Sequence, residues 1–186
     1  MNSFENPVRP YEQDIEGMPK IKDSGERREF ASGAVRDIQE GKGRCDLLPL
    51  DVVADWISLC DEPDTVLAAI NLFMYTREAV YLKSALDAFC SHLGWHKETM
   101  VLEISKHFEQ GAKKYGERNW EKGISTHSYI DSAVRHYLKW RRGDSDEPHD
   151  RAFCWNVMCC IWTLKHRPEW NDIPFLSDVK GGKTNE

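Results

Sequence analysis

In the stretch HDRAFCWN, His149 and Asn156 stand seven residues apart with Ala152 and Phe153 between them. On a helix that spacing stacks the two polar side chains along one stripe, and the apolar residues between them turn the stripe toward a core. An asparagine inside an apolar helix needs hydrogen-bond partners, supplied either by a neighbouring element or by a ligand. Earlier in the chain Glu103 and His107 are four residues apart, so their side chains can converge on one point as two ligands of a divalent cation do, although the same spacing suits a solvated face. Asp131, Arg135, His136 and Lys139 make a polar helical edge with a cationic bias, fit for phosphate oxygens or for an ordinary charged surface. The loop GAKKYGERNW interleaves Lys113, Lys114 and Arg118 with Tyr115 and Trp120, offering charges for phosphates and ring faces for a base. There is no P-loop or GxGxxG pattern, so phosphate binding here would rest on side chains and metal.

The elements that must position these groups read as helices. Leu50, Val53, Ala54 and Ile57 recur at helical spacing in a run ending near Leu59. Asp64 can cap a second run with Val66, Leu67, Ile70 and Phe73 on one face, and a third places Val80, Leu82, Leu86 and Phe89 before Gly94 stops it. From Glu98 to Lys114, Met100, Ile104, Phe108 and Ala112 face inward with Glu103, His107 and Gln110 beside them, until Gly116. Tyr129 to Trp140 turns Ile130, Val134, Tyr137 and Leu138 inward and ends at Gly143, and after the link GDSDEP a last apolar helix runs from His149 to Lys165 with Pro148 at its first turn. Three of these helices carry imidazole or carboxylate groups close to their apolar faces, which is how bundles build metal sites. The expected fold is an all-α helical bundle without strands. Residues 1–29, with three prolines and the run Glu26-Arg27-Arg28-Glu29, read as an extended or mobile arm; Phe30 to Pro49 reads as a loop carrying Arg36, Asp37, Lys42, Arg44 and Asp46; the tail from Pro168 reads as irregular.

Composition narrows the classes. A chain of 186 residues, 40% hydrophobic with seven Trp, has material for one packed domain, here residues 30–186, and is too apolar to be disordered. A net charge of −6 argues against coating nucleic acid, so no stable nucleic-acid complex is expected. No apolar stretch approaches a bilayer span and the first residues lack the basic and apolar parts of a signal peptide, so cytoplasmic residence without a membrane partner is the default. The six cysteines form no CxxC pair and mostly sit in apolar runs, as reduced core thiols do.

The strings SGAVRDIQEGKGRCDLLP, GAKKYGERNWEKG, DSAVRHYLKW and DEPHDRAFCWN, in that order, resemble the phage and prophage family of dATP/dGTP diphosphohydrolases. The resemblance covers about Phe30 to Pro49 and Glu98 to Leu164, and makes 51–97 look like a helical insert carried by one subgroup and 98–165 the catalytic helices. It implies an all-α, metal-dependent nucleotide pyrophosphohydrolase related to MazG-like enzymes, which cut a dNTP into dNMP and pyrophosphate. It also implies a homo-oligomer, and host cytoplasm as the location of a phage-encoded chain. The positions it carries over are Glu103, the KYG and RNW groups with Tyr115, Arg118, Asn119 and Trp120, then Arg135, His136, His149 and Asn156. One departure concerns the metal: MazG-like enzymes use ExxE and ExxD motifs, whereas Glu103 has Lys106 three residues on, and Glu147 and Asp150 spell ExxD only at a helix start.

On this resemblance Glu103, Glu147 and Asp150 hold Mg²⁺ or Mn²⁺, with His107, His136 or His149 assisting. Lys113, Arg118, Arg135 and Lys139 neutralise the departing pyrophosphate, Tyr115 or Trp120 stacks on the base, and Asn119 and Asn156 belong to the substrate site. Two other readings stay open. His149-Asp150 spells the HD pair of another all-α phosphohydrolase class, with His107 or His136 before it and Asp172 after it, whose members release triphosphate. The other is a non-catalytic helical interaction protein of phage origin.

Overall fold

A computed structural model describes residues 25–38, 43, 45–48, 50–57 and 63–173. Among them lie six helices: α1 (Leu50–Ile57), α2 (Thr65–Thr76), α3 (Ala79–Leu93), α4 (Lys97–Tyr115), α5 (Thr126–Arg142) and α6 (His149–His166). The chain is a helical bundle, as the periodicity predicts. Residues 1–24, Lys42, Arg44, Leu59, Cys60 and the tail after Ile173 lie outside the described residues.

The helix boundaries follow from local chemistry. The Asp64 carboxylate accepts the backbone N–H groups of Val66 at 3.1 Å and Leu67 at 3.0 Å, satisfying two donors that the first turn of α2 leaves free. The same carboxylate takes the Tyr137 hydroxyl at 2.7 Å and pairs with Arg141, tying the start of α2 to the end of α5. Gly94 and Gly143 adopt the left-handed conformation that closes α3 and α5. The core lies where α3, α5 and α6 meet: Phe89 packs edge-on against Trp140 and Phe153 at centroid distances of 4.8 and 4.7 Å, with Tyr137 beside it. Val80, expected inward, is exposed, because the buried face of α3 runs through Leu82, Ala85 and Phe89.

The expectation of no strands needs correction. β1 (Arg27–Glu29) and β2 (Val35–Asp37) pair antiparallel, with Arg28 opposite Arg36. Three residues are too few for an alternating pattern to show, and the hairpin is held from outside. The Asn119 side chain donates to the Val35 carbonyl at 3.0 Å and accepts the Val35 N–H at 3.1 Å, acting as one more pairing residue beside β2. Arg28 donates to the Ser128 hydroxyl at 2.9 Å, and Phe30 meets Trp170 edge-on.

The segment expected to be irregular is ordered as far as Ile173. Pro168–Trp170 forms a 3-10 turn, and Asp172 then accepts the backbone N–H of His127 at 3.0 Å and the Thr126 hydroxyl at 3.2 Å. A carboxylate delivered from the far end of the domain thus caps α5, which starts three residues earlier than its apolar periodicity predicts. The five described cysteines are free thiols; burial pushes the Cys154, Cys159 and Cys160 thiols up and keeps them protonated.

Candidate functional site

A cavity of about 420 Å³ opens between β2, α4, the loop after α4, α5 and the start of α6. That is ample room for a small molecule. Phe108, Tyr115, Trp120 and Trp155 are among its aromatic lining residues, and Arg36, Arg135, His136, Lys139 and Glu147 among its charged or titratable ones. Phe108 links Trp120 and Trp155 at centroid distances of 5.5 and 5.9 Å.

Arg36, on β2, is the cation most deeply involved. Its guanidinium donates to Asn156 Oδ1 at 2.8 Å, the Ser132 hydroxyl at 3.1 Å and the Ser128 carbonyl at 3.2 Å. All three are neutral acceptors. It also lies 5.3 Å from the Tyr129 ring centroid and 5.8 Å from that of Trp155. Burial pushes its pKa down, as expected of a positive charge taken out of water with no carboxylate bonded to it among the described residues. The next residue behaves oppositely: Asp37 is saturated by Lys114 at 2.9 Å, the Tyr115 hydroxyl at 2.9 Å and Arg27 at 3.2 Å. Burial and the adjacent Asp37 charge hold the Tyr115 phenol above its usual range, so it remains a donor.

Among the charged or titratable groups two imidazoles meet. His136 Nδ1 on α5 lies 3.0 Å from His149 Nδ1 on α6, and each is 3.6 Å from Glu147 Oε1. His149 Nε2 lies 2.8 Å from Asp146 Oδ1. A carboxylate can only accept, so Nε2 carries the proton and His149 Nδ1 presents a lone pair toward its neighbours. Burial first, then the neighbouring histidines, Arg135 and Lys139, hold the His136 pKa well below its usual value.

The structure brings together most of the residues singled out from the sequence. His107, Tyr115, Arg118, Asn119, Trp120, Arg135, His136, Lys139, Glu147 and Asn156 all line the cavity, and His149 stands behind His136. Some have work within the fold: Asn119 clamps β2, Arg135 pairs with Asp131, and Arg118 pairs with Glu121 at 2.5 Å. Lys113 is exposed and pairs with Glu109 along α4, away from the cavity lining. Glu103 meets Arg151 of α6 at 2.6 Å and Lys106 at 2.5 Å, and Asp150 accepts the backbone N–H of Arg151 at 2.7 Å. Among the described residues, the groups with metal-binding geometry are His136 with Glu147 and His149, and Asp144 with Asp146 and His149; neither includes Glu103 or Asp150. Asp172 pairs with His127 at the start of α5, and stands in neither group. Arg28, Arg36, Asp37, Ser128, Ser132 and Trp155 line the cavity without having been singled out for it. The charges of Arg36 and Asp37 were visible in the sequence, but nothing local says where a short hairpin docks.

His107 gives the site a pH signature. It is 7% exposed, and burial, with the positive charges of Arg151 and Arg36, lowers its pKa to about 3. In the unfolded chain it takes up a proton near its ordinary value of 6.5, so in this window the unfolded state binds more protons and stability falls as pH drops from about 6.5 toward 3. The slope from this one group approaches ~1.4 kcal/mol per pH unit. Urea unfolding of wild type and His107→Gln at pH 7, 6 and 5 reads it directly: the advantage of wild type over the variant should shrink with acid. An unchanged difference across that range would show that His107 is not held neutral.

A family model described as dATP/dGTP diphosphohydrolase, N-terminal, matches residues 90–173. The match spans less than half of the chain, and that segment is similar to this family. No curated protein and no solved structure matches the chain. The matched segment contains all of α4, α5 and α6, so it supplies the cavity lining except for the hairpin residues, Arg36 and Asp37 among them, which precede it. No helix among the described residues is long and apolar enough to cross a membrane.

Proposed function

We propose that the cavity binds a purine deoxynucleoside triphosphate, dATP or dGTP, and that the chain hydrolyses it to the monophosphate and pyrophosphate. The observation that carries this reading is the Arg36 guanidinium: a desolvated cation that, among the described residues, bonds to neutral acceptors, in a cavity also lined by Phe108, Tyr115, Trp120 and Trp155. Such a charge favours an anionic ligand, and phosphate oxygens match its planar fork. The base belongs against the aromatic lining residues, with Trp120 and Trp155 as ring faces and Tyr115 fixed through its hydroxyl to Asp37. Arg135 and Lys139 line the same cavity and would take up charge on the departing pyrophosphate.

In the reaction water adds to the α-phosphorus, the bond from that phosphorus to the bridging oxygen breaks, and pyrophosphate leaves. A divalent cation, Mg²⁺ or Mn²⁺, would polarise the water and offset charge in the transition state. Of the two groups of described residues whose donor atoms lie close enough to hold it, His136, Glu147 and His149 form the one with two members, His136 and Glu147, on the cavity lining.

Product chromatography after incubation with each dNTP and Mg²⁺ or Mn²⁺ tests the reading. Monophosphate plus pyrophosphate from dATP and dGTP is expected. Nucleoside plus triphosphate would move the chemistry to the terminal ester bond, and no turnover of any nucleotide would leave a binding protein; either result overturns the proposal.

A further inference from the structure

We propose that His136 Nδ1, His149 Nδ1 and Glu147 Oε1 bind one divalent transition-metal ion, in preference to Mg²⁺, at the lining of the cavity. The inference deepens the nucleotide reading by naming the cation's residues and class, and it rests on that reading only for what the metal does.

The three donor atoms form a triangle with sides of 3.0, 3.6 and 3.6 Å. A point equidistant from its corners lies about 2 Å from each, the bond length of imidazole nitrogen or carboxylate oxygen to a first-row divalent ion. With His149 protonated on Nε2, His149 Nδ1 and Glu147 Oε1 present lone pairs and the hydrogen between the two rings sits on His136 Nδ1. A cation at the centre satisfies all three donors, once that hydrogen moves to His136 Nε2.

The surroundings are those of a supported site. Asp146 Oδ1 on His149 Nε2 at 2.8 Å fixes that ring and its tautomer, the usual second partner of a ligating histidine. The His149 side chain is 1% exposed, so its ring has no room to turn away. His136 and Glu147 line the cavity, which leaves the remaining coordination positions open to water or to phosphate oxygens. Lys139 Nζ lies 3.9 Å from Glu147 Oε1 and 3.6 Å from Asp146 Oδ2, and its flexible stem lets it follow Asp146 when a metal takes the glutamate. The competing group, Asp144 with Asp146 and His149, is less available because Arg142 binds both Asp144 oxygens.

The donor set decides the metal class. Mg²⁺ prefers an octahedron of oxygens and keeps much of its water, whereas two imidazoles and one carboxylate suit Mn²⁺, Fe²⁺, Co²⁺ or Zn²⁺. This contrasts with the three carboxylates, Glu103, Glu147 and Asp150, expected from the sequence.

The test uses tag-free full-length protein stripped by chelator, without nucleotide. Calorimetric titration should show one Co²⁺ or Mn²⁺ per chain, bound at least tenfold more tightly than Mg²⁺. Pulsed electron paramagnetic resonance of the Mn²⁺ form should show modulation from two imidazole nitrogens. Glu147→Gln should weaken binding tenfold or more, and His136→Gln should remove one nitrogen signal, with metal-free thermal unfolding of each variant confirming that it folds. The proposal is overturned if the folded protein binds neither Co²⁺ nor Mn²⁺, if it prefers Mg²⁺, or if binding survives both substitutions. Tight metal binding with no dNTP turnover would keep this site and remove the nucleotide reading. Turnover with metal binding untouched by Glu147→Gln would do the reverse.

Discussion

Arg36→Met should reduce kcat/KM for dATP and dGTP by at least a hundredfold while the helices stay folded. Methionine keeps much of the length and apolar character of the stem but removes a charge that no described carboxylate balances, so the loss falls on whatever anion the cavity holds. Removing one preorganised donor from a low-dielectric site costs about 3–4 kcal/mol of transition-state stabilisation, which sets the scale. Asn156 Oδ1 and the Ser132 hydroxyl lose a donor in the variant, and water entering the cavity can replace it. Arg36→Lys should fall between the two, because an ammonium supplies the charge but not the planar fork. Steady-state kinetics and calorimetric binding of a non-hydrolysable dGTP analogue read the effect, with far-UV circular dichroism as the folding control. Activity within threefold of wild type in Arg36→Met would remove this guanidinium from the substrate site.

Gly123→Ala should lower the midpoint of thermal unfolding by roughly 5–15 °C, corresponding to ~2–4 kcal/mol for a domain of this size. Gly123 has φ +111°, a conformation that a side chain disfavours. A Cβ there would lie 2.5 Å from Trp170 Nε1 and 2.8 Å from Cδ1, too close for contact with a rigid indole that also meets Phe30. The Gly123 carbonyl accepts the Ser32 hydroxyl, so the hairpin turn, the loop before α5 and the terminal 3-10 turn all meet at this residue. Combining Gly123→Ala with Trp170→Ala should cost less than the two separate changes added together, because the second removes the atoms that the first strikes. A midpoint within 2 °C of wild type for Gly123→Ala would mean the loop relaxes without strain.

The helices were legible because their information is local. Asp64 before an apolar run, Gly94 and Gly143 after others, and inward residues every three or four positions mark elements that form largely from their own sequence. The residues of α5 and α6 that face the cavity could be read from the same periodicity: Asn156 does take a partner, as its apolar setting requires. That the partner is Arg36 could not be read, since nothing in the run of charges around residue 36 distinguishes a docked strand from a solvated loop. Glu103 shows the reverse difficulty. Its spacing to His107 is as described, but a helix face has more than one neighbour, and Arg151 of α6 takes the carboxylate. Spacing within one element tells which side chains travel together; only packing tells what they meet.

The bond from Arg36 to Asn156 spans 120 residues and the one from Arg36 to Ser132 spans 96. Closing loops of that length is slow compared with forming the local contacts of α2 with α3. The helical hairpins therefore have time to assemble before the cavity exists, and its Arg36 lining is among the last features the folding chain acquires. During synthesis β2 emerges early, finds its first acceptors only when α5 is made, and waits for α6 before Asn156 completes the set. If the cavity binds nucleotide as proposed, that competence becomes a report on completed folding, and a chain stalled before α6 carries Arg36 without its Asn156 acceptor.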